Sequence, residues 1–224
     1  MKLNRPLILA SSSPRRQYLM REAGFDFHIE KPEVDEVFPG DLPVAQVARY
    51  LAAIKAEYFR PTMRDQVIVT ADTVVILNNQ ILNKPADREE AIKMLSALSG
   101  NTHRVMTGVS IVSEEKEASF DETTSVTFEK LSRKEIEFYI DRFQPYDKAG
   151  AYGAQDCLPS GINPCSEEEM EFLRAIKKES LIKQRSFNTV QSTGIVLIKK
   201  ISGSYFNVMG LPVHKVYALL KSWR

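Results

Sequence analysis

Six consecutive residues near the N-terminus, Ser11-Ser12-Ser13-Pro14-Arg15-Arg16, follow the short apolar run Leu7-Ile8-Leu9 and precede a helical pattern. Hydroxyls cap helices, proline suits the first helical position, and a helix N-terminus presents unpaired N–H groups at the positive end of its dipole. Two guanidinium groups added there make a site for a multiply charged anion, with phosphate the leading candidate. A well-capped helix with two solvated arginines accounts equally well for the segment taken alone.

Other groups with chemical potential fall at the ends of predicted elements, where binding residues usually sit. Asp72 lies between the apolar runs 67–71 and 74–77. A charge in that place is costly unless it binds a cation or takes part in chemistry; an Asx turn between two strands is the competing reading. Asp35 and Glu36 could hold a divalent metal through oxygen, although adjacent acids in a loop usually face solvent. Lys55, close to Leu51 and Ile54 on a helix, reads by default as a lysine with a buried stem and a solvated head, and Lys84, before Pro85, as a solvated one. The run Tyr146 to Gln155 combines two glycines and three alanines with a terminal amide. It suits either close approach of backbone to a ligand, with Gln155 both donating and accepting, or a tight packing corner.

Strands and helices alternate along the chain. Residues 14–23 have helical spacing and are closed by Gly24, and Phe25, Phe27 and Ile29 alternate as in a half-buried strand. A helix is expected over 43–57, a short strand over 67–71 running into Asp72-Thr73, and a return through Ile81 and Leu82 after an Asn78-Asn79 turn. Asp87 with Glu90, and Ser132 with Glu135, are capping boxes for two further helices. Long strands are expected over 103–112 and 119–128, and a last strand and helix over 194–201 and 212–220. This order predicts an α/β fold around a mixed, twisted sheet flanked by helices.

Composition sets the outer limits. Of 224 residues, 43% are hydrophobic and 26% charged, ordinary values for a globular protein. The formal net charge of +1 argues against broad electrostatic binding to nucleic acid, so no stable nucleic-acid complex is expected. No apolar run reaches the length of about 18 residues that a membrane helix needs, and the first residues lack the apolar stretch of a signal peptide. A cytoplasmic protein is expected. Cys157 and Cys165 read as free thiols.

The motifs taken together resemble those of Maf proteins. Ala10 to Arg16, Ala71-Asp72-Thr73-Val74-Val75, Lys84-Pro85, Leu98-Ser99-Gly100 with His103, Lys148 to Gly153 with Gln155, and Gly203-Ser204-Tyr205 with Asn207 and Gly210-Leu211-Pro212 occur in that family's order. The resemblance spans about Leu7 to Leu220, interrupted once. It implies a two-lobed fold with a central cleft, related to the inosine triphosphatases. The implied activity is metal-dependent cleavage of a nucleoside triphosphate to the monophosphate and pyrophosphate, a house-cleaning role linked in the family to arrest of cell division. The continuous run from Asp147 to Gln155 is similar to the branch acting on dTTP and UTP, with a branch acting on 7-methyl-GTP and a nonenzymatic regulator of septation as the alternatives. By matching positions, Asp72 would be the proton acceptor and Arg15, Thr73 and Gln155 would influence base selection. Ser11, Arg16, Lys55 and Lys84 would hold the triphosphate, and Glu36 with Asp72 a divalent cation, Mg2+ or Mn2+. A homodimer is the implied assembly.

The interruption is a departure from the family. After Gln155 this chain has Asp156 and a long excursion through about Thr193, read as an insertion over 157–193 in a single 1–224 domain. Ser166 and Glu169 would cap a charged helix over 167–183 within it. The excursion is expected to be a tolerated surface insertion, a lid, or a partner surface. His28, His103 and His214 are scattered over different elements without ligand spacing, which argues against a histidine metal centre.

Overall fold

The computed structural model describes residues 3–158, 162–179, 181 and 196–223. The strands are β1 (Leu7–Leu9), β2 (His28–Ile29), β3 (Val67–Leu77), β4 (Gln80–Leu82), β5 (Thr102–Val112), β6 (Glu117–Phe128) and β7 (Ile198–Ser202). They form one mixed sheet in the order β2-β1-β3-β5-β6-β7, with β4 paired to β3. β1 runs parallel to β2 and β3, whereas the β3–β4 and β6–β7 pairs are antiparallel. The helices are α1 (Pro14–Glu22), α2 (Val44–Glu57), α3 (Arg88–Leu98), α4 (Arg133–Phe143), α5 (Ala154–Cys157), α6 (Glu167–Ala175), α7 (Tyr205–Val208) and α8 (Val213–Leu220). The fold is therefore α/β with a mixed sheet flanked by helices, as the sequence pattern predicts.

The chain divides into two compact units. The first runs to Thr73, takes in Met106–Glu122 and resumes at Phe206; the second holds Val74–Val105 and Thr123–Tyr205. In the first, Ile8, Ala10, Ala56, Phe59, Met63, Ile68 and Val112 form a buried cluster. In the second, the rings of His103, Phe128 and Tyr152 meet edge to face, with centroids 4.9–5.4 Å apart. The Tyr139 hydroxyl there accepts the Gly153 N–H at 3.0 Å.

Two contacts in the first unit fix α2 on the sheet. The Thr70 hydroxyl donates to the Ala52 carbonyl at 2.7 Å. At Gly108 a Cβ would lie 2.4 Å from the Ala48 backbone, so only glycine lets the strand approach the helix this closely. Side chains two apart share a strand face, and those three apart share a helix face. Fixing Thr70 to Ala52 therefore also brings Asp72 towards Lys55.

Three local expectations are corrected. β3 runs unbroken for 11 residues, so Asp72 and Thr73 sit inside a strand rather than at its end; the Lys55 partner of Asp72 removes the reason for the chain to turn there. The strand expected through Phe25 and Phe27 is only His28–Ile29, and Ile29 is exposed. The charged helix ends at Ala175, because Lys177 takes a left-handed conformation (φ 57°) and the Lys178 N–H bonds the Leu173 carbonyl at 2.9 Å. Expected strand residues 194–195, and all of the excursion beyond residue 181, lie outside the described residues.

Candidate active site

The turn from β1 into α1 is built by its serines. Ser13 is the N-cap of α1, accepting the Arg16 N–H at 3.5 Å, and the buried Ser11 hydroxyl accepts the Ser13 N–H at 3.2 Å. Pro14 begins the helix, as the sequence indicates. The two arginines that follow stand on the first turn, both partly buried.

Arg16 is tied to protein groups through most of its guanidinium. Nε donates to the Gly210 carbonyl at 2.8 Å, Nη1 to the Ala71 carbonyl at 2.8 Å and to Ser11 Oγ at 3.4 Å, and Nη2 to Thr73 Oγ1 at 3.0 Å. A guanidinium has five N–H donors, so these bonds leave one Nη2–H for a ligand. Burial lowers the pKa of Arg16 from the usual arginine value; Asp72 opposes this and Arg15 adds to it. Arg16 therefore serves first as a clamp on three segments, namely the turn before α1, β3 and the loop after α7.

Beside this clamp lies a charged cluster. The Lys55 ammonium, buried at 7% exposure, lies 2.5 Å from Asp72 Oδ1 and 2.7 Å from Glu36 Oε1. Lys55 thus departs from the default of a solvated head group, because two carboxylates take the place of water. Asp72 is 8% exposed. Its buried charge is compensated by an ammonium rather than by an Asx turn.

The structure thus brings Ser11, Arg16, Thr73, Lys55, Asp72 and Glu36 together in the first unit, with Arg15 on the same helix turn as Arg16. Lys84, exposed after β4, and Gln155, half-buried on α5, belong to the second unit. The backbone carbonyls of Ala71 and Gly210 and the hydroxyl of Thr107 are contributors that the sequence reading missed. A carbonyl has no signature in sequence, and Thr107 differs in no visible way from other strand threonines. Among the described residues, no group of three or more His, Cys, Asp or Glu side chains converges as a metal site, and no helix is long and apolar enough to cross a membrane. Cys157 and Cys165 are not joined in a disulfide.

Among solved structures, the Staphylococcus aureus Ham1 protein is similar over 55% of this chain and 72% of that chain, at 14% identity and a TM-score of 0.41. A dTTP/UTP pyrophosphatase of Bacteroides thetaiotaomicron is 38% identical over 217 residues, covering 96% of this chain and 94% of its own. One of Porphyromonas gingivalis is 39% identical over 223 residues, covering 97% and 94%. The family model described as "Maf-like protein" matches residues 6–169 and 162–223. With a family model matched over nearly all its length, and relatives this similar from end to end, the chain belongs to the Maf family.

Proposed function

We propose that the protein hydrolyses dTTP and UTP to the nucleoside monophosphate and pyrophosphate. The observation that carries this reading is the pairing of a buried carboxylate, Asp72, with the Lys55 ammonium and Glu36, beside a serine-capped helix N-terminus bearing two arginines. Relatives similar over the full chain and named as dTTP/UTP pyrophosphatases give the substrate class.

Attack of water on the α-phosphorus must approach a polyanion, and negative charge grows on the departing pyrophosphate. Fixed positive charge and pre-oriented donors therefore supply most of the rate. In this reading Asp72 accepts the proton of the attacking water. The remaining Nη2–H of Arg16, the Ser11 hydroxyl and the N–H groups of the first α1 turn face the phosphates. Lys55 carries a positive charge beside the base. Lys84 as a phosphate ligand, and Arg15, Thr73 and Gln155 as base readers, enter on the family motifs.

Glu36 and Asp72 fit a divalent cation. Both are hard oxygen donors held close to one another, since each lies within 2.7 Å of the same ammonium, and a cation would bind beside that ammonium rather than in its place. Two carboxylates with substrate phosphates and water completing the shell is a common arrangement for Mg2+. Bound there, the metal would supply charge neutralisation of the polyphosphate.

The test measures pyrophosphate release from dTTP, UTP, CTP, GTP and 7-methyl-GTP with Mg2+ or Mn2+, with Asp72→Asn alongside. Release from dTTP and UTP is expected, falling in Asp72→Asn by about 100-fold or more, the scale of a lost general base, with nucleotide binding largely retained. Activity confined to 7-methyl-GTP would refute the substrate, and an Asn variant with near-normal turnover would remove Asp72 from the mechanism.

A further inference from the structure

In the second unit, Gln155 stands on a helix too short to place itself. α5 is a single turn, Ala154–Cys157, and one turn makes too few bonds of its own to offset the cost of ordering it. Its position is set by what it is tied to. Ala154 and Cys157, three apart and so on one face, are buried, whereas Gln155 and Asp156 between them are only half-buried. The Cys157 carbonyl accepts the Leu197 N–H at 3.2 Å, just ahead of β7. Before the helix, the Tyr152 hydroxyl lies 2.6 Å from His103 Nε2 on β5.

Tyr139, on α4, reaches both ends of this turn. It is fully buried, with its ring centroid 4.9 Å from that of Phe143. Its hydroxyl accepts the N–H of Gly153, the N-cap of α5, at 3.0 Å, and also hydrogen-bonds the Cys157 side chain. A backbone N–H only donates, so the role of the phenol oxygen towards Gly153 is fixed. Whichever of the phenol and the thiol gives its proton to the other, one oxygen stays bonded two residues before Gln155 and two residues after it. Burial raises the pKa of both groups, so both are uncharged at neutral pH.

We propose that Tyr139 is a positioning residue for base recognition: its hydroxyl holds α5 where the Gln155 amide meets the edge of the pyrimidine. The proposal rests on the dTTP/UTP reading and on Gln155 as a base reader. The edge of uracil or thymine offers a carbonyl that accepts and a ring N3–H that donates, and one side-chain amide can bond both at once. A paired contact of this kind needs both distances near about 3 Å together, so a turn that shifts or frays loses the pair rather than half of it. The Tyr139 hydroxyl itself touches no substrate in this reading. It acts through the turn it fastens.

The test measures kcat and KM for UTP and dTTP in wild type, Tyr139→Phe, Gln155→Ala and the double variant, with the melting temperature of each alongside. Phenylalanine keeps the ring and its packing and removes only the hydroxyl. Tyr139→Phe should raise KM for both substrates about fivefold and leave kcat within about twofold, the scale of one hydrogen bond made alike in the ground and transition states. In the double variant KM should match that of Gln155→Ala within about twofold, because the hydroxyl then has no amide to position. Ile140→Val, which trims a fully buried side chain of the same helix, should keep the wild-type KM. An unchanged KM in Tyr139→Phe, whatever its melting temperature, would overturn the proposal. So would a rise that persists in full on the Gln155→Ala background, or an equal rise in Ile140→Val, since either would mark a general loosening of the unit. If Tyr139→Phe does not fold, Cys157→Ala, which removes the thiol end of the same contact, takes its place in the cycle with the same outcomes. Gln155→Ala with a wild-type KM would refute the base-reading role and the proposal with it, whereas a wild type that turns over neither nucleotide would refute the dTTP/UTP reading itself.

Discussion

Lys55 Nζ lies within hydrogen-bonding distance of both Asp72 and Glu36, but the two contacts differ in their surroundings. Asp72 has a side-chain exposure of 12% and Glu36 of 51%. An exposed pair contributes about 0–1 kcal/mol, whereas breaking a buried one by removing a single partner costs about 3–5 kcal/mol, because the other charge is left stranded. The Lys55–Asp72 contact should dominate. Lys55→Met keeps the apolar stem and should cost about 3 kcal/mol in urea unfolding. The double variant Lys55→Met/Asp72→Asn should be more stable than Lys55→Met alone, because no buried charge then lacks its partner. Additive losses in that cycle would show that the pair is not coupled. The same pairing explains what could be read from sequence here. The cost of burying Asp72 marks it as a functional candidate, whereas Lys55, on a helix with apolar neighbours, gives no sign that its head group is turned inward.

At the level of elements, capping signals were legible and long-range partners were not. Ser132 with Glu135 and Ser166 with Glu169 form full capping boxes, as their spacing indicates, and Asp87 caps α3. Glu169 has a second task that no local pattern encodes. Its carboxylate is fully buried and, besides the Ser166 N–H at 2.9 Å, accepts the Ser204 hydroxyl at 2.5 Å and the Tyr205 N–H at 3.0 Å. One side chain therefore joins α6, within the excursion, to the turn after β7 by bonds that cross 35 and 36 residues. This argues that α6 is fixed in the second unit rather than a passive surface addition. Glu169→Ala leaves a buried hydroxyl and a backbone N–H without their acceptor, each a loss of about 1–3 kcal/mol. A total loss of about 3 kcal/mol is expected, against less than about 0.5 kcal/mol for the exposed Glu171→Ala on the same helix. Equal effects of the two substitutions would mean that the Glu169 contacts add nothing to stability.

Across the whole molecule, alternation of strands and helices gave the fold class, because apolar periodicity and caps are local properties. The sheet order was not legible, since placing β1 between β2 and β3 depends on pairings between distant segments. Packing also sets how the whole chain responds to acid. Burial lowers the pKa of both His103 and His214 from 6.5 to about 4, with Lys215 adding to the effect at His214. His103 faces the Phe128 and Tyr152 rings, and its Nε2 lies 2.6 Å from the Tyr152 hydroxyl. Both imidazoles are neutral in the folded chain at neutral pH and become protonated on unfolding below about pH 6.5. For a histidine whose folded pKa is depressed, the unfolded state binds the extra proton between the two pKa values. Stability is therefore complete above about pH 6.5 and is lost as pH falls towards 4. A shift of this size amounts to about 3 kcal/mol per histidine. Urea midpoints should accordingly fall steeply between pH 6.5 and 4.5 and hardly change between 7 and 8. His103→Asn keeps a polar partner for Tyr152 and cannot titrate, so it should lower stability at pH 7.5 while roughly halving the acid slope. A slope identical to that of wild type would show that His103 is protonated equally in the folded and unfolded chain, and that the acid response arises elsewhere.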